Sequence, residues 1–275
     1  MLEPISAAPP ILYGTAWKKE RTTALVERAL ELGFRGIDTA CQPKHYDEPG
    51  VGHSVTAFLA RGHARESLYL QTKFTPPDGQ DPKRVPYDVR APLATQIEQS
   101  CRASLQNLSV RYLDGLLLHS PIRPFDKLLL AWRTFEAQVD AGLVLALGIS
   151  NCYELRELTA LWQAARIKPS VVQNRFYRDT GYDAEIRAFC SQHGIRYQSF
   201  WTLSANPHLL AHRDVQALAA RHSATAAQIL FRYLTQRSVT PLTGTTSERH
   251  MQEDLAIFQL TLEAPELERI TRLLE

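Results

Sequence analysis

The sequence predicts an α/β chain folded as a (β/α)8 TIM barrel, a closed parallel sheet sheathed by helices. Two observations carry that prediction. Strand-like and helix-like segments alternate along nearly the whole chain, giving eight strand candidates that are each followed by helix. Such alternation implies a parallel sheet covered by helices. The competing doubly wound sheet usually announces itself with GxGxxG after its first strand, and no such motif occurs. A chain of 275 residues exceeds the common single-domain size, yet barrels of this class routinely fill that length as one domain. Residues 1–275 are therefore read as a single barrel domain.

The elements follow in order. Residues 11–17 read as a short strand, and 22–32 as a helix stopped by Gly33. The next strand is 35–39; after a loop, Val51 to Ala60 has a helical pattern and 68–74 is strand again. Residues 76–92, rich in Pro, Asp and Gly, form the longest irregular stretch, and the alternation resumes beyond it, so it is a loop and not a linker. In helix 93–108 the residues Ile97, Cys101, Leu105 and Leu108 share one stripe, with Pro92 near its start. Strand 113–119, helix 126–141, strand 144–149, helix 153–165 and strand 170–176 continue the series. Helix 183–193 stops at Gly194 before strand 195–201. Helical segments at 213–222 and 224–236, strand 239–243, and helices 247–257 and 265–274 complete it.

Composition narrows the class of partner. At 44% hydrophobic and 22% charged residues with a net charge of +2, the chain is an ordinary globular protein with no electrostatic case for nucleic acid or a membrane surface. The opening Met1-Leu2-Glu3-Pro4 lacks the basic and apolar regions of a secretory signal, and no apolar run reaches membrane-spanning length. Cys41, Cys101, Cys152 and Cys190 form no CxxC pair, so reduced thiols and a cytoplasmic location are expected. A monomer is expected as well.

Four polar residues stand out. Asp38, Lys73 and His119 each close an apolar strand, and Tyr46 lies in the loop after the first of these. Strand ends of a parallel barrel converge on one face, so a carboxylate, a phenol, an ammonium and an imidazole would share one site. Singly, each has a structural reading as a cap, a solvated group or a packed side chain. Asp38 and His119 do not supply the ligand cluster a metal-dependent hydrolase needs, and Lys73 opposes a cation; no metal is expected.

The stretch Gly33-Phe34-Arg35-Gly36-Ile37-Asp38-Thr39-Ala40, with Tyr46-Asp47-Glu48-Pro49-Gly50-Val51-Gly52, resembles the signature of the aldo-keto reductase family. Thr72-Lys73, Leu118-His119-Ser120-Pro121, Gly148-Ile149-Ser150-Asn151 and Val172-Gln173-Asn174 match further family elements in order. The resemblance implies reduction of aldehydes or ketones by NADP(H), with Tyr46 as general acid. An isolated tyrosine has a pKa of about 10; by this reading Lys73 lowers it, Asp38 holds Lys73, and His119 orients the carbonyl. Ser150, Asn151 and Gln173 would hold the nicotinamide carboxamide, and Phe200 would take the place of a stacking tyrosine.

Departures from the family pattern mark the rest. Leu242 stands where a lysine usually pairs with the 2′-phosphate, leaving Arg249, Thr243 and the helix start near Ser247 to bind it. NADP(H) is therefore expected, with NAD(H) or dual use as the alternative. The loop Cys41-Gln42-Pro43-Lys44-His45 is longer than the common spacing before the tyrosine, and the C-terminal substrate loop is short or absent. Trp17, Phe74 and Trp201 are then expected to wall the pocket for a small carbonyl substrate. A low-turnover cofactor-binding module on the same barrel is the alternative function, which retention of all four polar residues opposes.

Overall fold

The computed structural model describes residues 8–275; the opening residues, on which the reading of no secretory signal rests, lie outside them. Eight strands form one closed barrel in chain order, each pairing in parallel with its neighbours. They are β1 (Leu12–Gly14), β2 (Gly36–Asp38), β3 (Tyr69–Phe74), β4 (Leu113–Leu118), β5 (Val144–Ser150), β6 (Val171–Arg175), β7 (Arg196–Phe200) and β8 (Val239–Thr243). Sheets of this kind have helices on their outer face and side chains filling the inside. Accordingly every residue of β3 and β4 is buried.

The helices are α1 (Thr22–Leu32), α2 (Glu48–Ala60), α3 (Leu93–Asn107), α4 (Phe125–Asp140), α5 (Leu155–Ala164), α6 (Ala184–Gln192), α7 (Pro207–Leu210), α8 (Arg213–Arg221), α9 (Ala226–Gln236), α10 (Glu248–Ala256) and α11 (Ala264–Thr271). Expected and observed elements agree in order. Three differences have physical causes. β1 ends at Gly14, short of the expected 11–17, because the chain turns out of the ladder and Trp17 adopts a left-handed φ of 64°. α2 begins three residues early, at Glu48. Asp47 caps it by accepting from the Gly50 amide at 3.1 Å, and Pro49 falls in the first turn, where its missing N–H costs nothing. The short α7 carries no apolar periodicity long enough to be read.

The loop after β3 is tied back to the barrel. Gln80 Nε2 donates to the Cys41 carbonyl at 2.9 Å, and Tyr87 Oη donates to the Thr75 carbonyl at 2.6 Å. Glu48 is buried beneath α2, accepting from Thr72 Oγ1 at 2.5 Å, Ser104 Oγ at 2.9 Å and Asn107 Nδ2 at 3.1 Å. Burial pushes its carboxyl pKa up. These bonds pin the start of α2, and with it the loop that carries Tyr46, to β3 and α3.

Gly52 sits where α2 meets the end of α3. A Cβ there would fall 1.9 Å from the Asn107 carbonyl oxygen, a backbone atom that no rotamer change can move. Gly52→Ala is therefore expected to lower unfolding stability by about 2 kcal/mol or more, a typical overpacking cost. Urea denaturation measures it, and an unchanged midpoint would contradict the close approach.

Candidate active site

The floor of the site is an ion pair. Lys73, one residue before the end of β3, donates from Nζ to Asp38 Oδ1 at 2.8 Å, Asp38 Oδ2 at 2.6 Å and the Thr39 carbonyl at 2.9 Å. Both side chains are buried. Burial lowers the Lys73 pKa, against the opposing pull of Asp38. Asp38 Oδ1 also accepts from Gln71 Nε2 at 2.7 Å and Gln173 Nε2 at 2.9 Å. Gln198 Oε1 joins those two amides, accepting from each at 2.8 Å. A buried ion pair is tolerated when further hydrogen bonds satisfy its remaining atoms; Gln71 and Gln173 do so, and Gln198 holds both. Gln71 and Gln198 are additions to the sequence reading. Their signal is parity: Gln71 lies two residues from Lys73 on one strand and so faces the same way.

Tyr46 is returned to this floor by its long loop. The Cys41 amide donates to the Lys73 carbonyl at 3.1 Å, and the His45 and Tyr46 amides both close on the Gln42 carbonyl, at 3.1 and 3.0 Å. The extra residues are thus taken up as a turn. The Tyr46 ring centre lies 5.4 Å from Lys73 Nζ and 6.1 Å from the His119 ring, edge to face. Burial, then the Asp38 charge, raise the phenol pKa well above its ordinary value. Both act against the lowering expected from Lys73. All three ammonium protons are directed at Asp38 and Thr39, so the cation is cancelled by a carboxylate that also faces the phenol.

His119 follows β4 directly. Burial, reinforced by Lys73, pushes its pKa down to about 3, so the ring is neutral. Its Nδ1 lies 2.6 Å from Thr75 Oγ1. Thr75 is buried and its hydroxyl has no other partner among the described residues. The hydroxyl proton therefore goes to Nδ1, which leaves the imidazole proton on Nε2.

One cavity of about 860 Å³ runs from Trp17, Tyr46 and His119 across the barrel mouth to Thr243 and α10. Ser150, Asn151, Gln173 and Phe200, at the ends of β5, β6 and β7, line its middle. Asn151 has a left-handed φ of 53°; its Nδ2 donates to the His119 carbonyl at 2.9 Å and its Oδ1 accepts from Tyr153 Oη at 3.1 Å. Trp17 and Trp201 stand at the rim, 58% and 49% exposed, and Trp17 stacks on His45 with ring centres 3.7 Å apart.

Two predicted site residues lie elsewhere. Phe74 is 1% exposed and packs on Tyr87 at 5.4 Å between ring centres; alternation sends it outward from the barrel where Lys73 points in. Arg249 is 81% exposed in its side chain and bonds Glu253 at 2.8 Å, one turn along α10. It does not line the cavity; His250, Glu253 and Asp254 do. Burial raises the Asp254 pKa to about 6. Lys18, absent from the sequence reading, lies beside the same end. Its Nζ donates to the Gly244 carbonyl, and burial lowers its pKa to about 8. Among the described residues no cluster of three or more His, Cys, Asp or Glu could hold a metal ion, and no helix is long and apolar enough to cross a membrane.

The geometry has close relatives. The chain is 28% identical over 296 aligned residues to aldo-keto reductase family 1 member A1 of Homo sapiens, covering 96% of this chain and 86% of that one. It is also 28% identical to glyoxal reductase of Bacillus subtilis (strain 168), covering 91% of this chain and 83% of that enzyme. In fold it resembles aldo-keto reductase AKR2E5, solved in complex with NADPH, with a TM-score of 0.79 at 21% identity over 96% of this chain and 84% of that chain. The sequence profile of the aldo/keto reductase family matches residues 10–275. A closed parallel barrel, an Asp–Lys floor under a tyrosine and a histidine, and this match agree: the chain belongs to the aldo/keto reductase family.

Proposed function

We propose that this protein reduces aldehydes or ketones to alcohols with NADP(H), using Tyr46 as general acid. The observation that carries this reading is the convergence of Tyr46 and His119, ring centres 6.1 Å apart, above the buried Asp38–Lys73 pair in a cavity of about 860 Å³. When bound, the reduced nicotinamide supplies the hydride that attacks the carbonyl carbon. Phe200 offers a ring face for it, and Ser150 with the free carbonyl end of the Gln173 amide can hold its carboxamide.

His119 Nε2–H points a neutral donor at the carbonyl oxygen, fixed by Thr75 behind it. Tyr46 keeps its proton until charge develops on that oxygen and then releases it there. The phenol is loaded across neutral pH, and His119, by hydrogen bonding to the same oxygen, helps draw its proton off. Burial of Asp38 and Lys73 keeps water from levelling these interactions. Four free buried thiols suit a reducing compartment, and we place the protein in the cytoplasm.

At the adenosine end the lining is Leu242, Thr243, Thr245, Thr246, His250, Glu253 and Asp254. Threonine hydroxyls and backbone amides can donate to a 2′-phosphate, but no arginine lines the cavity there to clamp it.

Tyr46→Phe is expected to cut NADPH-dependent aldehyde turnover by about a hundredfold or more, while fluorescence titration shows NADPH affinity unchanged; full activity sinks the mechanism. Because His119 titrates near 3, the pH profile of kcat/KM should show no limb between about pH 5 and 8 that His119→Asn removes. Finding one would place the histidine's proton elsewhere. NADPH and NADH should bind within about tenfold of each other, since a bidentate arginine–phosphate contact is missing; a hundredfold preference for NADPH would require a cation at the 2′-phosphate beyond Lys18, whose Nζ is engaged by the Gly244 carbonyl.

A further inference from the structure

Arg175 closes β6, two residues beyond Gln173, so its side chain rises from the same face of the strand into the cavity. It forms no ion pair among the described residues, and its side chain donates no hydrogen bond there. Its Nε is buried and unpartnered. The guanidinium lies 4.2 Å from the Trp201 ring centre and 5.1 Å from that of Tyr177. Aromatic faces hold the plane of an arginine and leave its N–H edges free. A partly buried, unpaired cation is costly to keep, and a fork of free donors matches a carboxylate.

Its backbone fixes which half of the cavity it serves. The Arg175 amide donates to Tyr153 Oη at 3.1 Å; that hydroxyl donates to Asn151, whose Nδ2 donates to the His119 carbonyl. The Arg175 backbone is therefore linked to that of the histidine through Tyr153 and Asn151, in the loop after β5. A different cation, Lys18, lies beside Gly244 near the ends of β1 and β8 and is available to the phosphates of a dinucleotide.

We propose that Arg175 is a substrate anchor for an anionic oxygen group, so that the preferred substrates are carbonyl compounds carrying a carboxylate. This rests on the carbonyl-reductase reading and specifies its substrate class. The carboxylate meets the N–H edge between Trp201 and Tyr177 while the reacting carbonyl faces Tyr46 and His119.

The test compares para-carboxybenzaldehyde with benzaldehyde at saturating NADPH. Wild type should favour the acid by about tenfold or more in kcat/KM, through KM; Arg175→Gln should remove that preference and leave benzaldehyde turnover and NADPH affinity unchanged. Arg175→Lys, which keeps charge without the fork, should retain part of it and guards against a folding defect in the glutamine variant. Equal losses on both aldehydes, or weakened NADPH binding in place of a KM effect, overturn the proposal; the second outcome assigns Arg175 to the cofactor diphosphate. Calorimetric binding of para-carboxybenzyl alcohol and benzyl alcohol to the NADP-loaded protein reads the anchor without turnover. Carboxylate-dependent binding with no reduction of either aldehyde overturns the reductase reading and keeps the anchor. Turnover without discrimination overturns the anchor alone.

Discussion

Lys73 and Asp38 meet inside the barrel mouth with both side chains almost wholly removed from water. Such a pair exists at a cost in desolvation that its own attraction barely recovers, and removing one partner typically costs about 3–5 kcal/mol. Everything around it follows from meeting that cost. Gln71, Gln173 and Gln198 spend their amides on the carboxylate and on one another. The result is a polar plug in the barrel, built from residues of inward parity on four strands, β2, β3, β6 and β7.

Neutralising the lysine also decides the chemistry above it. A free ammonium beneath Tyr46 would favour phenolate; with its protons going to Asp38 and Thr39, burial and the Asp38 charge prevail and the phenol stays loaded. The same low-dielectric floor keeps His119 neutral, and the Thr75 hydroxyl sets which nitrogen faces the substrate. Two uncharged donors over a balanced pair form a site that responds only when negative charge appears on the carbonyl oxygen. That is the condition for stabilising a transition state more than a ground state.

Much of this was legible in the sequence, because strand ends declare themselves. Asp38, His119, Ser150 and Gln173 stand where apolar runs stop, and a parallel barrel gathers such positions on one face. The loop before Tyr46 was legible as long but not as a turn, since its geometry rests on backbone bonds to Gln42 and Lys73 that no side-chain pattern encodes. Phe74 was misplaced because a strand end alone does not give parity; one residue's alternation separates the cavity from the core. Arg249 was misplaced for a helical reason. Glu253, one turn further on at the cavity edge, captures it, and the helix turns His250 and Asp254 toward the cavity instead. Lys18 and Thr75 act through partners distant in sequence, Gly244 and His119, so neither carried a local signal.

The central claim is that burial, with the Asp38 charge beside it, holds Tyr46 as a phenol through neutral pH despite the nearby Lys73. NMR titration of the protein carrying tyrosines labelled at the ring carbon bonded to oxygen follows this directly, with the Tyr46 resonance assigned by its absence in Tyr46→Phe. The account predicts that this resonance keeps its phenol shift beyond the ordinary tyrosine pKa of about 10. A Tyr46 resonance that moves to the phenolate position near neutral pH would contradict it, and would return Lys73 to the role of lowering the tyrosine's pKa.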